Sequence, residues 1–142
     1  MIDSLTGQLT VIGADGTGFW AEFPEPVTAI EAGVGHWHGS ARVVGGGGFA
    51  GASGVAHLWV EGLQEFAEAL QALLDGRESE ADLDLDTTQV SITRRHSGAL
   101  RVEVDLEDPV SDSTVSCKFD TAADSLRRTL DQANELIAQL PV

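Results

Sequence analysis

At 142 residues the chain has the length of one domain, spanning 1–142, long enough to bury about 68–70% of the surface its unfolded form exposes. Eight basic residues against 23 acidic ones leave a formal net charge of −15, which repels DNA, RNA and anionic membrane surfaces and draws cationic partners. One cysteine excludes an internal disulfide, and the lack of a basic n-region, a signal-length apolar run or a membrane-length segment sets the expectation of a cytoplasmic protein.

Residues 9–12 form the first strand candidate, ended by the turn-rich stretch 13–18, and residues 19–23 a second. Pro24 and Pro26 interrupt ladder hydrogen bonding, so 27–31 reads as an edge strand or irregular segment. From Trp37 the pattern sharpens, and residues 38–44 read as a strand. Gly45 to Gly48 give a flexible connection, and 49–60 reads as a long second arm whose glycines at 51 and 54 point to a bulge or bend. Leu63, Phe66, Ala67, Leu70, Leu73 and Leu74 then recur at helical spacing, which predicts a helix over 61–75 with Gly76 as its C-terminal cap.

The most informative stretch follows. In 80–86 every even position is acidic and every odd one apolar, so a period of two puts Glu80, Asp82, Asp84 and Asp86 on one side of a strand. A strand at 89–95 and a turn at Ser97-Gly98 come next. Residues 100–107 repeat the arrangement, with Val102, Val104 and Leu106 facing one way and Arg101, Glu103, Asp105 and Glu107 the other. Pro109 closes that strand and 114–119 forms another, in which Cys117 alternates with Val115 and Phe119 and reads as a buried, inert thiol. Thr121 and Asp124 open a second helix over 121–140 in the manner of a capping box, with Asp120 as the competing cap and Pro141 as the stop. Its stripe is Ala123, Leu126, Leu130, Ala133, Ile137 and Leu140. Strand runs with hairpin spacing, one mid-chain helix and one terminal helix predict an α+β fold, a curved antiparallel sheet of six to seven strands with both helices on its apolar side.

Several motifs fail on context. The G-x-G-x-x-G letters at 46–51 precede a strand where a dinucleotide site needs a helix. Asp82-x-Asp84-x-Asp86 has Thr87 where a calcium loop needs glycine and Thr93 where it needs glutamate. His36 and His38 share a strand face that can chelate zinc, with His57, His96 and Cys117 as further ligand types, but no second close-spaced pair completes a tetrahedron, so the segment reads as a solvated strand start with Trp37 anchoring the core. No metal or cofactor is expected. No serine, histidine and aspartate sit in a nucleophile-elbow context and the cysteine lacks an activating neighbour, so no catalytic residue is assigned.

From Trp37 onward the chain resembles the WapI-type immunity proteins of bacterial polymorphic toxin systems, and with them related families of small bacterial proteins. The resemblance rests on the tryptophan-led strand, the arm Gly47-Gly48-Phe49-Ala50-Gly51, the helix pattern Leu63, Phe66, Leu70 and Leu73, and Gly76 before the acidic strand. Gly98 ahead of 100–106 and Asp120-Thr121 at the opening of the terminal helix complete it. His36, in place of an acidic residue, and Thr121, in place of glutamine, depart from that pattern. The resemblance implies a non-catalytic cytoplasmic protein that neutralises the toxic C-terminal domain of a cognate effector, often an RNA-directed nuclease with a basic cleft. Glu80, Asp82, Asp84, Asp86, Glu103, Asp105 and Glu107 are the candidate partner-binding residues, complementary in charge to such a basic protein, with no direct contact to nucleic acid or membrane. The alternative is a small-ligand-binding or enzymatic α+β domain that uses the concave side of its sheet; a third is a subunit that dimerises through a strand edge.

Overall fold

A computed structural model describes residues 7–24, 28–30, 34–48, 50–108 and 110–139, with backbone only for 28–30, 34 and 52–54. The expectations placed on Pro26, Val27, Glu31, Phe49, Pro109, Leu140 and Pro141 lie outside the described residues. The fold is α+β. In chain order its elements are β1 (Gly7–Ile12), β2 (Gly18–Phe23), β3 (Thr28–Ile30), β4 (Val34–Val44), β5 (Ala50–Trp59), α1 (Val60–Leu74), β6 (Glu80–Asp84), β7 (Thr88–Arg94), β8 (Leu100–Asp108), β9 (Ser113–Thr121) and α2 (Ala123–Ala138).

The nine described strands divide into two antiparallel sheets, where the sequence pattern suggested one sheet of six to seven. A period-two alternation marks each strand but carries no information on which edge it pairs with. In the first sheet β1 pairs with β2, and β2 and β3 lie end to end along one edge of β4, over residues 40–44 and 34–36 of that strand. β5 takes the other edge of β4. Between the pairs Gly39↔Ala56 and Ala41↔Ser53, β5 carries one residue more than β4, the bulge that its interior glycines signalled. The second sheet is a simple meander, β6-β7-β8-β9. Its strands follow one another through short turns, so each finds its sequence neighbour first.

One apolar cluster joins both sheets and both helices. Phe19, Phe23, Trp37, Val43 and Leu58 enter it from the first sheet, Leu83, Ile92, Val102 and Val104 from the second, and Leu63, Phe66, Leu70 and Leu126 from the helices. The predicted stripe of α1 is buried as expected, apart from the half-buried Leu74. Gly76, at φ +80, ends α1 as expected; the Arg77 N–H reaches back to the Ala72 carbonyl at 2.8 Å. The Arg94 guanidinium donates to the Leu73 carbonyl, placing a cation at the negative end of α1.

α2 lies along β1 and closes the open edge of the first sheet. Its residues Ser125, Thr129 and Gln132 fall on one face and complete the outward backbone groups of β1. The Gln132 Oε1 accepts from Thr10 N at 2.8 Å, Ser125 Oγ accepts from Ile12 N at 3.1 Å, and the buried Thr129 hydroxyl donates to the Thr10 carbonyl. The capping box is not formed. Ala122 is the N-cap, without a side-chain cap bond, because the Thr121 hydroxyl donates to the Ile12 carbonyl at 2.7 Å and the Asp120 carboxylate is held by Arg101. Long-range contacts outcompeted the local cap. The two sheets are stitched at separate corners: Gly13 bridges to Thr121 at one, and at the other the His57 N–H donates to Leu85 O at 3.1 Å while Thr87 Oγ1 donates to Val55 O at 2.7 Å.

Candidate protein-docking face

The meander turns one face to the core and the other to solvent. Buried Ala81 and Leu83 of β6, Val90 and Ile92 of β7 and Val102, Val104 and Leu106 of β8 alternate with outward polar residues. The register sets those outward residues in rows across the four strands. One row is Glu80, Thr93, Arg101, Asp120; the next is Asp82, Ser91, Glu103, Lys118; the third is Asp84, Gln89, Asp105, Ser116; Glu107 and Thr114 extend the last two strands. Two acidic ridges, on β6 and β8, therefore flank a neutral lane made by β7. Strands sit about 4.8 Å apart, so the ridges are about 10 Å apart, and carboxylates within a ridge recur every second residue, about 6.8 Å.

Outward carboxylates at Glu80, Asp82, Asp84, Glu103, Asp105, Glu107 and Asp120 share this face with the cations Arg101 and Lys118. Arg101 Nε pairs with Asp120 Oδ1 at 2.9 Å, and Lys118 stands opposite Glu103. Neutral donors hold several of the acids in place: Gln89 Nε2 donates to Asp84 Oδ1 at 2.8 Å, Ser116 Oγ to Asp105, and Ser91 Oγ to Glu80 Oε2 at 3.4 Å. At the far end of β8 the Asp108 carboxylate accepts from the Ser111 hydroxyl and the Val110 N–H, which hold it below the ordinary carboxylate range. Like charges are thus spaced by hydroxyls and amides, which limits the repulsion that a continuous acidic sheet would suffer.

Six of the seven acids singled out from sequence lie on this face. Asp86 does not sit on β6. That strand ends at Asp84, whose Oδ1 accepts the Asp86 N–H at 2.8 Å, and Asp86 adopts φ 76, a left-handed conformation that aspartate tolerates better than most residues. The Asp86 carboxylate instead approaches His57, with Oδ2 at 3.9 Å from Nδ1. Sequence reasoning misses Asp120 and Lys118, because Asp120 reads as a helix cap; the alternation of Ser116, Lys118 and Asp120 against Cys117 and Phe119 is the signal available. Cys117 is half-buried, and burial, then Asp15, pushes its thiol above the ordinary range.

His36 also differs from expectation. It is buried rather than solvated, because Trp59 lies directly across the strand pair and covers it, ring centroids 4.7 Å apart. Among the described residues no three histidine, cysteine or acidic side chains are arranged to hold a metal ion, and no helix is long and apolar enough to cross a membrane. A groove of about 980 Å³ lies between α2 and the β1–β2 hairpin and is open and polar, lined by Gln8, Glu22, Arg128, Asp131 and Glu135 among others.

The family model described as the immunity protein WapI-like family matches residues 21–141. The chain belongs to the WapI-like immunity protein family. The match takes in β4 to β9 and both helices, and with them the whole acidic face. No curated protein matches the sequence. Among solved structures, the fold is similar to that of the plant transcriptional regulator PBF-2, at a TM-score of 0.56 and 7% identity over 92% of this chain and 87% of that one. The MRP1/MRP2 structures from Trypanosoma brucei align at a TM-score of 0.47 and 18% identity, covering 91% of this chain and 83% of theirs. At such identities the PBF-2 likeness speaks for the fold alone. Membership of the WapI-like family points to an immunity function against a toxin.

Proposed function

We propose that this chain is a non-catalytic, cytoplasmic inhibitor that neutralises a nuclease toxin by laying the outer face of β6 to β9 over the toxin's basic, substrate-holding cleft. The observation that carries this reading is the row register: Glu80, Asp82 and Asp84 on one ridge and Glu103, Asp105 and Glu107 on the next, outward and close together on a hydrogen-bonded sheet. A nuclease must gather cations to hold a polyanion. A rigid array of carboxylates competes for the same cations, needs no catalytic group, and steers the partner at long range. With a net charge of −15 the inhibitor does not itself approach nucleic acid or anionic lipid.

The reading is tested by reconstitution. The effector gene beside this one is identified, its C-terminal domain is purified, and RNA cleavage is followed with increasing amounts of this chain. Stoichiometric loss of cleavage supports the proposal. Undiminished cleavage in a mixture where the two proteins co-elute shows a partner that is bound but not inhibited, and refutes it.

A further inference from the structure

Three of the chain's four histidines meet at the corner where the two sheets are joined. His36 and His38 project from the same face of β4, His57 stands directly across from His38 on β5, and Trp59 directly across from His36. The ring centroids are 4.2 Å apart for His36 and His38, 4.8 Å for His38 and His57, and 5.4 Å for His36 and His57. At the same corner the His57 N–H donates to Leu85 O, and Asp86 faces the His57 ring.

The protonation states these rings accept are restricted. His36 Nε2 and His38 Nε2 approach to 2.6 Å, so one nitrogen donates and the other accepts through its lone pair. A proton on both faces two N–H groups toward each other and abolishes the bond. His36 is 6% exposed and its Nδ1 is buried without a hydrogen-bond partner among the described residues. The neutral ring that donates through Nε2 leaves only a bare lone pair there, whereas the imidazolium adds a buried N–H that nothing accepts.

We propose that His36, His38 and His57 form a proton-sensitive latch, which holds the ends of β4 and β5 and the turn at residues 85–87 together while its rings are neutral and loosens as pH falls below the ordinary imidazole range. Among the described residues, the ionisable groups acting on His36 are His38 from its own strand and His57 from β5. The β3 residues paired with this end of β4 are Thr28, Ala29 and Ile30, none ionisable. Asp86, from the β6–β7 turn, faces His57, its Oδ2 3.9 Å from the ring Nδ1. Glu61, in the first turn of α1, is exposed.

Burial first, then repulsion from His38 and His57, pushes His36 below its ordinary value of 6.5. The folded state therefore binds this proton less readily than the unfolded state. Stability is full above the unfolded value and is lost as pH falls through and below about 6.5, by up to tenfold in the unfolding constant per pH unit for one proton. The latch is independent of the docking reading, since it concerns the fold alone.

The test is urea unfolding of the wild type, of His36→Gln and of the control His96→Gln from pH 8 to pH 5, with EDTA present so that the proton is the only ion titrated. Acidification also relieves carboxylate repulsion, but equally in all three proteins, so differences between profiles isolate the imidazole. The wild type and His96→Gln are expected to lose stability relative to His36→Gln by up to tenfold per unit below pH 6.5. Parallel profiles for the wild type and His36→Gln overturn the latch. If His36→Gln does not fold, the Cε1–H resonances of the wild type decide: a His36 signal that titrates below that of His96 supports the latch, and one that titrates together with His96 overturns it.

Discussion

Converting Asp82, Glu103 and Glu107 together to lysine separates the electrostatic part of docking from the integrity of the fold. All three project from the outward face, Asp82 and Glu107 exposed and Glu103 half-buried. The set omits Asp84, whose carboxylate accepts the Asp86 N–H, so that replacing it would disturb the turn as well as the charge. Asp82 and Glu103 lie two strands apart in one row, a separation of about 10 Å, at which two like charges in water interact by on the order of 0.1 kcal/mol once salt screens them. Lysine at 103 stands across from Lys118, a like-charge pair that costs no more than about 1 kcal/mol. The variant should therefore unfold within about 1.5 kcal/mol of the wild type.

Association behaves differently, because the partner meets the summed field. Each reversal adds two units of charge, so three move the net charge from −15 to −9 and place cations where the partner's own cations must dock. Steered encounters run two to three orders of magnitude faster than unsteered ones. Stopped-flow association with the toxin domain at low salt should slow by about ten- to a hundredfold, and the difference should shrink to a few-fold near 1 M salt, where the screening length is about 3 Å. An unchanged rate at low salt, in a variant that is still folded, removes the acidic rows from the mechanism.

Thr129→Val keeps the shape of a fully buried side chain but leaves the Thr10 carbonyl without its donor from α2; urea unfolding should show a loss of about 1–3 kcal/mol. Gly39→Ala forces a Cβ to within 1.8 Å of the Glu22 carbonyl oxygen, backbone that cannot yield, and should cost about 3 kcal/mol or more, while Gly47→Ala, with open space around it, should change stability by under about 0.5 kcal/mol. The half-buried Cys117, its thiol pushed up by burial, should react with a disulfide reagent much more slowly in the folded protein than in urea at the same pH; equal rates would place it in solvent.

Much of this was legible because the relevant signals are periodic. Alternation from Glu80 and from Leu100 defined two strands and their outward acids, and the i, i+3, i+4 recurrence from Leu63 to Leu73 defined α1 and its buried face. What was not legible depended on partners distant in sequence. Whether the strands form one sheet or two is decided by edge pairing, to which a strand's own residues are silent. Thr121 and Asp120 look like caps until Ile12 and Arg101 arrive to claim them. Asp86 is the local exception: it follows the alternation of β6, yet Asp84, two residues before it, captures its N–H and turns the chain. His36 reads as a solvated residue until Trp59 is placed across from it, and His57 joins the histidine pair only through the β4–β5 register.

Carboxylate footprinting of the purified complex with the toxin domain measures the docking face most directly. Carbodiimide labelling followed by mass spectrometry should show Glu80, Asp82, Glu103, Asp105 and Glu107 shielded in the complex, while Glu61, Glu65 and Glu68 on α1 and Asp131 and Glu135 on α2 label as in the free protein. Protection confined to the helices, with the sheet acids labelled as before, would contradict the account.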